Sequence, residues 1–247
     1  MAIGLRSMGA VVAAIALLSG CGSGGETEPR AKANSTKPSP KPLAGLTAQQ
    51  ILDKSKAAAV ASGSVHVSGD SDGITMDLRA TKAGDGKGTM SYGAGGVDGT
   101  VELLVRDGQL YVKGDKRFWT KNANKAVAQI LTGKWLMDDK LDPQFGDLAE
   151  ILDLDKFLEE GLKPEGTISI AKGRDVGGQA TVGLLDTSAK GGNEGTLYIA
   201  DADKPFPLLA VNAKGEEMAF SEWGASVTVA APPEDLVIDI AELQNAA

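Results

Sequence analysis

Apolar residues recur at every second position over much of this chain. In residues 73–81, Ile74, Met76, Leu78 and Ala80 share one parity, while Thr75, Asp77 and Arg79 share the other. Residues 99–106 repeat the pattern with Val101, Leu103 and Val105, and Asp107-Gly108 follows at once. A period of two sends successive side chains to opposite faces of a strand, so each such segment buries one face and leaves the other in water. Asp-Gly between two such runs is the sequence of a tight two-residue hairpin. Strands are therefore predicted over 64–69, 73–81, 86–92, 99–106 and 109–113, with 117–120 as a further short one. A second set follows over 167–172, 179–186, 196–200, 208–213, 218–220 and 226–230, punctuated by Gly177-Gly178 and Lys214-Gly215.

Helical spacing interrupts this pattern three times. Residues 47–61 begin with Thr47 and Gln50 in capping-box order, with Leu46 and Ile51 placed as a hydrophobic staple. Residues 122–132 carry Val127, Ile130 and Leu131. Residues 147–162 carry Leu148, Ile151, Leu152, Phe157, Leu158 and Leu162, a wide apolar face that implies burial. Between the last two, Trp135-Leu136-Met137 leads into a polar turn with Asp138, Asp139 and Asp142. Pro232-Pro233 stops the final strand, and 234–243 form a short terminal segment. Helix, sheet, helices, sheet without a clean linker describes one α+β domain with a single antiparallel sheet. Two small domains are the alternative.

The first 42 residues have a different character. Arg6 precedes an apolar run from Met8 to Leu18, which is too short to span a bilayer of roughly 20 residues' helix length. Leu18-Ser19-Gly20-Cys21 then matches the bacterial lipobox, and Cys21 is the chain's only cysteine. Residues 1–20 are thus expected to be a lipoprotein signal peptide, with Cys21 as the acylated residue anchoring the protein outside the cell membrane. Residues 21–42 are rich in Pro, Gly and Ser and are expected to form a disordered tether, extending by up to ~3.1 Å per residue. The folded domain is expected over 43–247. It must be held by its core alone, since no second cysteine allows a disulfide.

Charge and composition narrow the function. The 25 Lys and Arg face 33 Asp and Glu, a net charge of −8 that disfavours nucleic acid and the anionic membrane surface as partners of the folded domain. The single histidine, His66, lies on an expected strand, and no Gly-x-Ser-x-Gly elbow accompanies it. His and Cys clusters for zinc are absent from the sequence, so neither a metal nor another cofactor is expected. Asp70-Ser71-Asp72-Gly73 and Asp201-Ala202-Asp203 do not continue into a calcium loop with a distal Glu and read as turns. An enzyme is not expected.

Several of these segments resemble one family. The lipobox, the tether, the alanine-rich first helix, Asp107-Gly108-Gln109-Leu110-Tyr111-Val112 and Phe220-Ser221-Glu222-Trp223-Gly224 resemble the LppX/LprG family of actinobacterial cell-envelope lipoproteins. That fold is similar to the LolA/LolB carriers. The resemblance implies a curved antiparallel sheet, a half-barrel, wrapped around helices over an apolar cavity. It implies binding and shuttling of an acylated lipid or glycolipid. The alternation itself is compatible with a hollow core or a packed one, the packed one implying a scaffold or sensory lipoprotein with a protein partner. For the hollow case the expected lining is Ile74, Met76, Leu78, Leu103, Val105 and Val112 from the sheet, with Ile130, Leu131, Ile151 and Phe157 from the helices. Trp135, Met137 and Phe145 are the expected mouth. A hollow interior would accept Val105→Trp and Leu78→Trp near wild-type stability while losing lipid.

Overall fold

The turn at Asp107-Gly108 forms as its chemistry requires. Asp107 has φ 51° and Gly108 φ 77°, the positive pair that matches the twist of the flanking strands. In this computed structural model, the residues described are 42–71, 73–93, 98–123, 125–138, 148–187 and 194–240. The expected signal peptide, Cys21 and the expected tether up to residue 41 lie outside them.

The first meander is β1 (Ser64–Ser71), β2 (Ile74–Thr81), β3 (Gly86–Tyr92), β4 (Gly99–Arg106), β5 (Gln109–Gly114) and β6 (Trp135–Asp138). The second is β7 (Thr167–Ala171), β8 (Asp175–Val176), β9 (Gln179–Thr187), β10 (Gly195–Ala200), β11 (Pro207–Asn212) and β12 (Glu217–Ser221), with β13 (Val237–Asp239) last. Together the described strands make one open, curved sheet of order β13-β6-β5-β4-β3-β2-β1-β12-β11-β10-β9-β7, with β8 paired to β9. All pairs are antiparallel except β13 with β6. The first strand thus sits centrally, and its pairing with β12 joins the two meanders.

Among the helices that lie wholly within the described residues, α1 (Ala48–Ser62), α2 (Lys116–Asn122), α3 (Lys125–Leu131) and α4 (Leu154–Gly161) pack on this sheet. Thr47 Oγ1 accepts from Gln50 N and Gln50 Oε1 accepts from Thr47 N, so the expected capping box starts α1. Gly63, at φ 83°, ends it.

Three expectations are corrected. Residues 117–120 belong to helix α2, because Asp115 caps it by accepting from Phe118 N at 2.7 Å. The helix turns both Phe118 and Trp119 inward, which a strand cannot do for neighbours. It can lie this close only because Gly114 is a glycine: a Cβ there would stand 2.4 Å from the Phe118 ring. Asp138, expected in the polar turn, instead ends strand β6, whose Leu136 pairs with Val112, while Asp139 and Asp142 lie outside the described residues. Residues 226–230 are not a strand. They run as a strap over the outer face of the sheet, where Lys87 Nζ donates to Thr228 O and an Arg106 guanidinium N–H to Val229 O. The strap explains why Leu103, Leu104 and Val105 are buried consecutively: Val229, Leu104 and Tyr111 form an apolar cluster on the second face.

Candidate functional site

The register lays the inner face out in continuous rows. One runs Leu136–Val112–Leu103–Gly88–Leu78–Val67–Phe220 across seven strands. The next runs Val101–Met90–Met76–Gly69–Met218–Ala210–Leu197–Leu184–Ile170. The two ends of these rows have different fates, because different helices cover them.

Over the first meander the space is filled. Leu78, Leu103, Val105, Val112 and Leu131 are buried with Phe118, Trp119, Leu136 and Leu152 in one cluster, and Ile74, Met76 and Ile151 pack against it. Burial also pushes the Tyr92 phenol in this region above its ordinary value. Ile130 is 46% exposed, so it does not close the interior. Phe157 packs in a second cluster, its ring 6.2 Å from Phe220. Trp135 and Met137 lie on the opposite face of the sheet with the strap, away from any mouth on the inner side. Phe145 lies outside the described residues. None of the ten lining residues expected from the sequence borders either groove described next.

Open space lies over the second meander instead. A groove of about 590 Å³ runs between α1, the end of α4 and strands β7, β9, β10 and β11. Its apolar wall is Leu52, Leu162, Ile168, Leu184, Leu197 and Ala210. The inward residues here include the small Ala210 beside Leu197 and Gly195 opposite Asn212. Charged residues stand at its edge, among them Glu160, Lys163 and Lys214. Asp186 holds that edge in place by accepting from Glu165 N at 2.8 Å and Gly166 N at 3.0 Å. A smaller groove of about 290 Å³ lies on the other side of α1, lined by Leu43, Leu46, Ile51, Ile170 and Val182 among others. The strand residues of these walls fall on strands predicted from the alternation, while Ile51 and Leu52 come from α1 and Leu162 from the end of α4.

The outer face carries a second arrangement of chemical interest. Ser221 Oγ lies 3.2 Å from His66 Nδ1, and His66 Nε2 lies 3.0 Å from Asp77 Oδ1. Arg79 bridges Glu222 at 3.2 Å and Asp77 at 3.4 Å. The line of Ser, His and Asp is that of a hydrolase triad, but it arises from direct cross-strand pairing of His66 with Ser221 and Arg79. None of its residues lines either groove. We therefore expect His66→Ala to leave ligand binding unchanged and to cost no more than ~1 kcal/mol, the scale of one cross-strand pair. Lipid occupancy and a thermal melt of the variant check this; loss of function at unchanged stability would contradict it.

Among the described residues, no group of three His, Cys, Asp or Glu side chains is placed to hold a metal ion. Nor is any helix there long and apolar enough to cross a membrane.

Known structures share this architecture. LprF from Mycobacterium bovis superposes with a TM-score of 0.53 at 23% identity, covering 75% of this chain and 96% of that one. The Mycobacterium tuberculosis lipoprotein LppX matches with a TM-score of 0.47 at 17% identity, over 74% of this chain and 98% of the other. No protein-family model matches the sequence, and no curated protein does. The likeness to LprF shows the fold: this chain is built as the LppX/LprG-type proteins are, as its motifs implied.

Proposed function

We propose that the protein is a cell-envelope lipoprotein that holds an acylated lipid or glycolipid in the larger groove and shuttles it across the envelope. The observation that carries this reading is the groove itself. It opens between helices and the inner face of the sheet, within the range of about 300–1,000 Å³ common to small-ligand sites. Its apolar wall and charged edge suit an amphiphile lying with its chain inward. Each buried CH₂ contributes ~0.8 kcal/mol, so binding needs no charged ligand contact. In this reading the protein is a carrier and not an enzyme, with a single carrier domain over 43–247 on a tether over 21–42. Mass spectrometry of lipid extracted from gently purified protein tests it: a defined acyl lipid at near-stoichiometric level is expected. Lipid-free wild-type protein would favour the second reading, a packed scaffold for an envelope protein partner, which the filled first meander supports.

The anchor belongs to the same proposal. Removal of residues 1–20 and acylation of Cys21 would hold the domain at the outer face of the cell membrane. Cys21→Ala is expected to move the protein from the detergent phase to the aqueous phase in phase partitioning from a native-like host. Equal partitioning of correctly processed wild type and variant would defeat the lipoprotein assignment.

A further inference from the structure

We propose that strand β7 is the seam of a homodimer, in which two copies of the chain pair β7 with β7 antiparallel and join their sheets about a two-fold axis at Ser169. The seam goes beyond the carrier reading and does not depend on it. Among the described residues β7 pairs only with β9, and it ends the sheet. An end strand presents a row of backbone amides and carbonyls that templates another strand unless something blunts it. Charge, proline, a bulge or very short length are the usual devices. At the opposite end of the sheet, β13 has three residues and carries Asp239. By contrast, Thr167–Ala171 is five residues long, holds no charge and no proline, and keeps an unbroken register with β9. Thr167, Ser169 and Ile170 are exposed, Ile170 at 55%.

The residues of this edge say which strand fits it. When two antiparallel copies keep their inner faces on the same side, residues of equal parity stand opposite each other. An axis at Ser169 sets Ile168 against the partner's Ile170 and Ile170 against the partner's Ile168. The apolar row Leu197–Leu184–Ile170 then continues into the second molecule. An axis at Ile168 would set Ile170 against Gly166, and an axis at Ile170 would set Ile168 against Lys172. Apolar pairing therefore specifies one register. Charge favours the same arrangement. Glu165 precedes the strand and Lys172 follows it, both exposed. Antiparallel pairing about Ser169 places each Lys172 opposite the partner's Gly166 and beside the partner's Glu165, whereas a parallel pair would set like charges together. A seam this short belongs to the weak class of interface, under about 1,200 Å², so the dimer forms where copies are concentrated.

The test is a cross-link at the axis. There Ser169 meets its own copy, and opposed Cα atoms stand about 4.5–5.5 Å apart, within disulfide reach. The full chain carrying Ser169→Cys, in membranes of a native-like host, is expected to give a disulfide-linked dimer on mild oxidation. Wild type, which controls for Cys21, and Lys121→Cys, at an exposed site on α2, are expected to give none. Adding Ile170→Lys to Ser169→Cys puts a charge against the partner's Ile168 and should lower the yield by about tenfold, the effect of ~1.4 kcal/mol. Ile170 is half-exposed in the single molecule, so the fold has little at stake there. A Ser169→Cys chain that gives no dimer beyond the Lys121→Cys level overturns the inference. So does a dimer that Ile170→Lys leaves intact, or a cross-link to a different protein, which would mean that this edge receives another strand.

Discussion

Val105→Trp is expected to unfold at a temperature lower than wild type by about 10 °C or more, at 2–4 °C per kcal/mol for a domain of this size. Val105 faces Gly86 across the β3–β4 ladder. Even a Cβ on Gly86 would stand 2.8 Å from Leu152 Cβ and 2.8 Å from Arg79 O, so there is no spare volume beside Val105. Inserting a few methylenes into such packing costs about 1–3 kcal/mol, and an indole should exceed that range. Leu78→Trp is expected to behave alike. Leu78 is 1% exposed, and a Cβ on its ladder partner Gly88 would sit 2.6 Å from Leu78 Cδ2. This reverses the outcome expected of a hollow core at these positions. Thermal melts of both variants decide the matter. Wild-type unfolding temperatures for the two would mean that the first meander encloses space after all.

Ala210→Trp is expected to do the opposite: to keep its stability within ~1 kcal/mol and lose its lipid. Ala210 lies on the wall of the larger groove, opposite Leu197 on β10 and Met218 on β12. A ring there enters space that the fold leaves open. Displacing about four methylenes of a bound chain would cost ~3 kcal/mol, roughly a hundredfold in affinity. Ile168→Trp, on the edge strand β7, provides a second variant with the same expectation. A folded Ala210→Trp protein that still carries a full complement of lipid would show that the ligand lies elsewhere. The two tryptophan experiments together separate a filled half of the molecule from an open one, since the same substitution is disruptive in one and tolerated in the other.

Features that depend on a few neighbouring residues are legible in the chain alone. The capping box of α1 needs only Thr47 and Gln50, and the β4–β5 turn needs only Asp107 and Gly108. Strands β2, β3 and β4 follow from alternation within eight residues or fewer. The motifs also pointed to the fold that LprF shares. Tertiary structure decided the rest. Residues 117–120, expected as a short strand, are helix because the Asp115 cap and the room above Gly99 and Gly114 favour it. Residues 226–230 have strand-like parity, yet they cover the outer face and bury Leu104 against it. Above all, parity says which way a side chain points and not what stands opposite. Val105 and Leu197 both face inward. One meets Leu152 and its neighbours, while the other borders a groove beside Ala210, because the volume left between sheet and helices is set by partners that are distant in sequence.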